Sequence, residues 1–162
     1  MSAAANITIG RASAGDIPAL ARVWHESWIE SHGVLSFGIH PDIADFARRT
    51  AKLLPGCLIA EGEIGACGFT AWEGGELYLL FVLPVAYGTG LGEELLARAE
   101  AEMAAGGQNE IFLFCRAGND RARRFYEKHG WRFSRLVASE EGSFIGYREN
   151  TMWRMEKSLD SR

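Results

Sequence analysis

The run from Leu77 to Gly92 constrains this chain most. Residues 77–83 form an apolar strand, and after Pro84-Val85-Ala86-Tyr87 the glycines at 88, 90 and 92 open a helix. Glycines at every second position let successive backbone N–H groups line one concavity, because no Cβ blocks an approaching anion. The helix that begins there adds the positive end of its dipole. Strand, glycine turn and helix start together predict a phosphate site. The dinucleotide fingerprint Gly-x-Gly-x-x-Gly would need a further glycine where Glu93 or Leu95 stands. A nucleotide P-loop would need Lys-Ser or Lys-Thr after its last glycine, and Glu93-Glu94 follows instead. By itself a glycine cluster is more often a turn device than a site.

A second strand and helix follow in Glu110–Cys115 and the segment from Arg116 to Phe133. Tyr87-Gly-Thr-Gly-Leu-Gly92 combined with Asn119, Ala122, Phe125-Tyr126 and Gly130-Trp131 resembles the GNAT superfamily of N-acetyltransferases. That family carries an Arg/Gln-x-x-Gly-x-Gly/Ala turn after its fourth strand and an Asn…Ala…Phe-Tyr…Gly-Phe/Trp helix after its fifth. Tyr87 departs from the pattern, standing where the family has Arg or Gln. The resemblance spans nearly the whole chain. It implies an α/β fold: a mixed, mostly antiparallel sheet of about seven strands, helices on both faces, and a splayed parallel pair at the fourth and fifth strands. It also implies acetyl-coenzyme A as co-substrate and a primary amine of a small molecule or peptide as acceptor.

The resemblance carries roles onto particular residues. Tyr87, Gly88, Thr89, Gly90, Leu91 and Gly92 would hold the pyrophosphate. The backbone of Leu80, Phe81 and Val82 would meet the pantetheine arm, with Asn119 beside it, and an amide near Phe81 or Val82 would face the thioester oxygen. Tyr126 would act as general acid at the departing sulfur. Glu76, opening the fourth strand, is the expected base, with Tyr78 and Glu26 as rivals. The residue types alone also allow blander readings: Asn119 is a good helix N-cap, and Tyr126 shares helical spacing with Ala122, Phe125 and His129. Arg116, Arg121, Arg123 and Arg124 gather near the same helix start, where they either meet phosphate or form a solvated face.

An acceptor pocket is expected from Trp24, Trp28, the 33–40 loop with Phe37, Trp72 and Tyr78, although helical spacing equally allows Trp24 and Trp28 to pack in a core. His25-Glu26 begins a zinc-binding His-Glu-x-x-His pattern, but Ile29 occupies the second ligand position, so no metal is expected. Val34 replaces the first glycine of a nucleophile elbow around Ser36, which favours direct transfer in a ternary complex over an acyl-enzyme. A non-catalytic acyl-coenzyme A sensor or partner subunit, and a mononucleotide-binding module, remain alternatives.

The 162 residues suit one domain, taken as 1–162, with a single core. A net charge of −4 argues against a nucleic-acid partner. No apolar run reaches membrane-spanning length and the first residues do not read as a signal peptide, so the chain is expected to be cytoplasmic and free of membrane. Cys57, Cys67 and Cys115 are odd in number and sit among strand-like neighbours, which predicts buried, reduced thiols. A homodimer is left open.

Overall fold

In the computed structural model, which describes residues 6–32, 42–139 and 150–159, the alternating segments fold as strands and the helically spaced ones as helices. β1 (Thr8–Arg11) leads through a 3-10 turn at Ala14–Asp16 into α1 (Ile17–His32). The Ser13 amide donates to Asp16 Oδ2 at 2.9 Å, closing a capping box. α2 (Ile43–Ala51) is capped by the Asp42 side chain and ends before Leu54–Gly56, which tightens into a second 3-10 turn around Pro55. β2 (Cys57–Gly62), β3 (Gly65–Glu73) and β4 (Glu76–Val82) form the antiparallel meander. α3 (Leu91–Ala105) then crosses to β5 (Glu110–Arg116), and α4 (Asp120–Lys128), β6 (Arg132–Ser139) and β7 (Asn150–Ser158) complete the chain.

The sheet order is β1-β2-β3-β4-β5-β7-β6, and only β4 and β5 run parallel. This is the mixed seven-stranded sheet the sequence led us to expect. On one face α1 and α2 bury Leu20, Val23, Trp24, Trp28 and Phe46 against Ile59, Phe69 and Ala71. On the other, α3 lays Leu91 and Leu95 on Leu58, Ala60 and Cys67, and Leu96, Ala99 and Met103 on Leu77, Ile111 and Leu113. Each such large side chain contributes about 1.5–3 kcal/mol on burial. Gly68 permits the close approach of α3: a Cβ there would lie 2.9 Å from the Phe81 carbonyl oxygen and 3.1 Å from Leu91.

Two irregularities in the middle of the sheet place the site. Ala71 pairs with Leu79 but Trp72 pairs with Leu77, so Tyr78 is the extra residue of a β-bulge. The bulge reverses the phase of β4: Leu77 packs in the α3 core, whereas Leu79 and Phe81 turn to the α1 core and Leu80 and Val82 to the α3 side. The second irregularity is that β4 and β5 share a single registered pair, Glu76 with Phe112, beside one bond from the Phe112 amide to the Gly75 carbonyl at 2.9 Å. β5 is paired along its full length to β7 instead. The strands part immediately after Glu76, and the edge of β4 from Leu77 to Val82 that faces β5 has no strand partner among the described residues.

Candidate active site

The open edge of β4 runs directly into the glycine turn. Pro84–Ala86 makes a 3-10 turn, and the Tyr87 amide donates to the Pro84 carbonyl at 3.0 Å. Gly88 and Gly90 then adopt φ of +77° and +85°, a region that other residues enter only with strain, and Gly90 caps α3. Thr89 braces the turn internally: its hydroxyl donates to the Ala86 carbonyl at 2.6 Å and accepts from the Leu91 amide at 3.2 Å. The amides of Gly88, Gly90 and Gly92 find no acceptor among the described residues. A Cβ on Gly88 or Gly90 would meet nothing within 4 Å, so the space over the turn is open. These are the features of an anion cradle, acceptor-free donors at the positive end of a helix.

α4 forms the opposite bank. Asn119 caps it, accepting from the Ala122 amide at 3.2 Å. Its far end is fixed at Glu100 of α3, which accepts from the Trp131 indole at 2.9 Å and from Lys157 Nζ at 2.7 Å. The same ammonium donates to the His129 carbonyl at 2.7 Å, beside the left-handed Gly130. This clamp orients Tyr126, whose ring centroid lies 5.3 Å from Phe125 and 5.9 Å from Trp131. Burial, and after it the nearby Cys115, pushes the Tyr126 hydroxyl above its ordinary range, so the proton stays on at neutral pH.

Glu76 sits at the fork of the two strands, half-buried and opposite Phe112. Burial raises its carboxyl above the usual range, the charge of Glu73 raises it further, and Arg154 pulls it back. Arg154 lies 4.0 Å over the Phe112 ring and 5.9 Å from that of Phe114, and its Nε donates to Glu156 at 2.8 Å. The sequence reading did not single out Phe112, Phe114 or Arg154. Of the rival bases, Tyr78 stands exposed on the bulge, and Glu26 is exposed and pairs with Arg22 at 3.5 Å.

Residues 17–131 match the model of the acetyltransferase (GNAT) family. The chain belongs to that family. Solved structures agree in fold. A GCN5-related N-acetyltransferase from Rhodopseudomonas palustris aligns at a TM-score of 0.77 with 21% identity, covering 95% of this chain and 96% of that one. A putative acetyltransferase, YncA of Salmonella typhimurium, solved with acetyl-coenzyme A, aligns at 0.67 with 22% identity, covering 97% and 96%. The PaiA N-acetyltransferase of Thermoplasma acidophilum, solved with coenzyme A, aligns at 0.65 with 22% identity, covering 94% and 99%. No curated protein matches the chain in sequence. The protein is therefore a GNAT acetyltransferase.

For this acetyltransferase the structure redraws the expected acceptor wall. Trp24 and Trp28 are only 4% exposed; Trp24 packs 5.1 Å from Phe46 and 6.3 Å from Phe81, behind β4 rather than in front of a cleft. Trp72 belongs to the opposite face: it has the phase of Thr70 and Gly68, packs with Leu80 on the α3 side, and carries Arg11 at 5.9 Å over its ring. Phe37 and the rest of its loop lie outside the described residues. Of the four that are described, only Tyr78 is exposed, beside the fork. The three cysteines are buried and unpaired. Burial lifts the Cys57 thiol to about 12 and that of Cys115 to about 11, which leaves neither a thiolate at neutral pH. Among the described residues no group of three or more His, Cys, Asp or Glu could hold a metal ion, and no helix is long and apolar enough to cross a membrane.

Proposed function

We propose that this acetyltransferase moves an acetyl group from acetyl-coenzyme A to a primary amine of a small molecule or peptide, by direct transfer in a ternary complex. One observation carries the reading: among the described residues, an unpaired strand edge leads through one short 3-10 turn into a turn of acceptor-free amides. The residues suit the co-substrate. The Tyr87 to Gly92 turn, Thr89 and Leu91 included, would take the pyrophosphate. Leu80, Phe81 and Val82 would pair with the amide-bearing arm as an edge strand pairs with a peptide. Asn119 lies across from them at the head of α4. YncA and PaiA hold the same class of molecule in the same fold.

Acetyl-coenzyme A supplies an activated carbonyl. Glu76 takes the proton of the acceptor ammonium, directly or through one water, which its raised carboxyl suits better than an ordinary one would. An amide near Phe81 or Val82 donates to the carbonyl oxygen as charge develops there. The new C–N bond forms as the C–S bond breaks, and Tyr126 supplies a hydrogen bond to the departing sulfur, which finally holds a proton as the free thiol. Tyr78, Phe112 and Phe114 offer aromatic surface, and Glu76 negative charge, to an acceptor that arrives as a cation. Three buried, unpaired cysteines suit a reducing compartment such as the cytoplasm.

Thiol release from acetyl-coenzyme A across a panel of primary amines tests the reading, with turnover expected for at least one. Thermal stabilisation by coenzyme A without turnover on any amine would make the chain a sensor or partner subunit. Stabilisation by ATP or NAD but not by coenzyme A would make it a mononucleotide-binding module.

A further inference from the structure

Tyr87 occupies the position at which the family motif carries a cationic or amide side chain, leaving the turn without a guanidinium or amide side chain of its own at that point. The structure shows a guanidinium there nonetheless. Arg121, from the first turn of α4, lies 4.6 Å over the Tyr87 ring. Its placement is otherwise unfavourable, since a cation at a helix N-terminus opposes the helix dipole. Arg123, two positions on, is held by Glu127 at 3.1 Å and stacks at 4.7 Å on both Phe133 and Trp153. Arg121 makes no ion pair among the described residues and is exposed. Its one described contact is a ring one residue before the acceptor-free Gly88 amide.

We infer that Arg121, held on Tyr87, is the phosphate-binding cation of this enzyme, delivered across the cleft from α4 instead of from the turn. A tyrosine ring orients a guanidinium by cation–π stacking while leaving its N–H edge free for two phosphate oxygens, which an ammonium would meet only as a point charge. Tyr87 is thus a positioning residue and Arg121 the group that touches the ligand. The consequence is specific: binding of coenzyme A ties α4 to the α3 turn through its phosphates. The inference rests on the proposed co-substrate.

Calorimetry with coenzyme A and with dephospho-coenzyme A, on the intact chain, tests it. Arg121→Ala is expected to weaken coenzyme A roughly tenfold, the loss of about one charge-assisted contact. Tyr87→Ala is expected to weaken it less, because the guanidinium survives but is no longer held. Tyr87→Arg in the Arg121→Ala background, which moves the cation back onto the turn, is expected to recover most of the loss. A deficit shared by both ligands places Arg121 on the pyrophosphate; a deficit seen only with coenzyme A places it on the 3′-phosphate. All three variants change exposed side chains, and an unchanged thermal midpoint without ligand verifies folding. Arg121→Ala binding as tightly as wild type overturns the inference, as does failure of Tyr87→Arg to restore affinity. Wild type that does not bind coenzyme A at all sinks the proposed function instead.

Discussion

At the residue scale the two groups given roles in the proposed transfer are both shifted upward by burial, for different tasks. Tyr126 is held neutral by burial and is too weak an acid to give up its proton outright, so its contribution is a hydrogen bond. Tyr126→Phe is expected to lower kcat roughly 10²-fold while leaving acetyl-coenzyme A affinity unchanged, measured by steady-state kinetics beside calorimetry. An unaltered kcat would send the general-acid role elsewhere. Glu76 carries a raised carboxyl, so the acidic limb of kcat/KM should lie above the ordinary carboxylate range. Since Arg154 opposes that rise, Arg154→Ala should move the limb to still higher pH, whereas Glu76→Gln should remove it. A limb that ignores Arg154 would mean another group titrates. The family resemblance pointed to Glu76 because it opens the fourth strand. Phe112 and Phe114 were not legible, since they alternate with Ile111, Leu113 and Cys115 in a strand apolar on both faces, where period two has no polar partner to reveal it. Arg154 and Glu156 did leave a signal, charges two apart alternating with Trp153 and Met155. The tryptophans misled for a related reason: helical spacing marks Trp24 and Trp28 as facing inward, and a core and a pocket are both inward.

At the element scale, α3 would have to satisfy two partners at once under the proposed function: its first turn would serve the ligand, while the remainder lies close against β3. Gly90 serves the first need. Its φ of +85° disfavours any side chain by about 1–2 kcal/mol, and a carboxylate would point negative charge into the cradle. Gly90→Glu should therefore abolish detectable coenzyme A binding in calorimetry, while Gly90→Ala should lower stability but retain weak binding. If Gly90→Glu still bound, the turn would not be the phosphate site. Gly68 serves the second need. The atom that a Cβ would strike is a backbone carbonyl, which cannot swing aside, so Gly68→Ala should cost about 1–3 kcal/mol and lower the urea midpoint without changing its slope. The two strand–helix units around the site were legible from the glycine turn and the Asn119 cap. The splaying of the fourth and fifth strands was legible only as a family expectation, and the bulge at Tyr78 was not legible, because a one-residue slip leaves no mark on an unbroken apolar run such as Leu77–Leu83.

At the scale of the molecule, the fork between β4 and β5 is made possible by β7. Once β7 has taken the other edge of β5, that strand is supported along its whole length and has no need of β4. That the last strand inserts between β5 and β6 could not be read from the sequence, since strand order depends on which edges are free after the rest has folded. The same close packing predicts how stability responds to alkali. Cys57, Cys115 and Tyr126 each hold their protons more tightly in the native protein than in the unfolded chain. Between the unfolded and native values the native state binds more protons, so stability is complete below about pH 9 and falls as pH rises beyond it. Each fully engaged group can add about 1.4 kcal/mol per pH unit to that decline. Urea unfolding at about pH 8 and about pH 10 should therefore show a marked loss in wild type. Cys57→Ala, less stable at the lower pH for want of a buried sulfur, should lose less on going to the higher one. Equal losses in the two proteins would mean that the Cys57 thiol ionises as readily folded as unfolded, and hence that the core beneath α1 admits water.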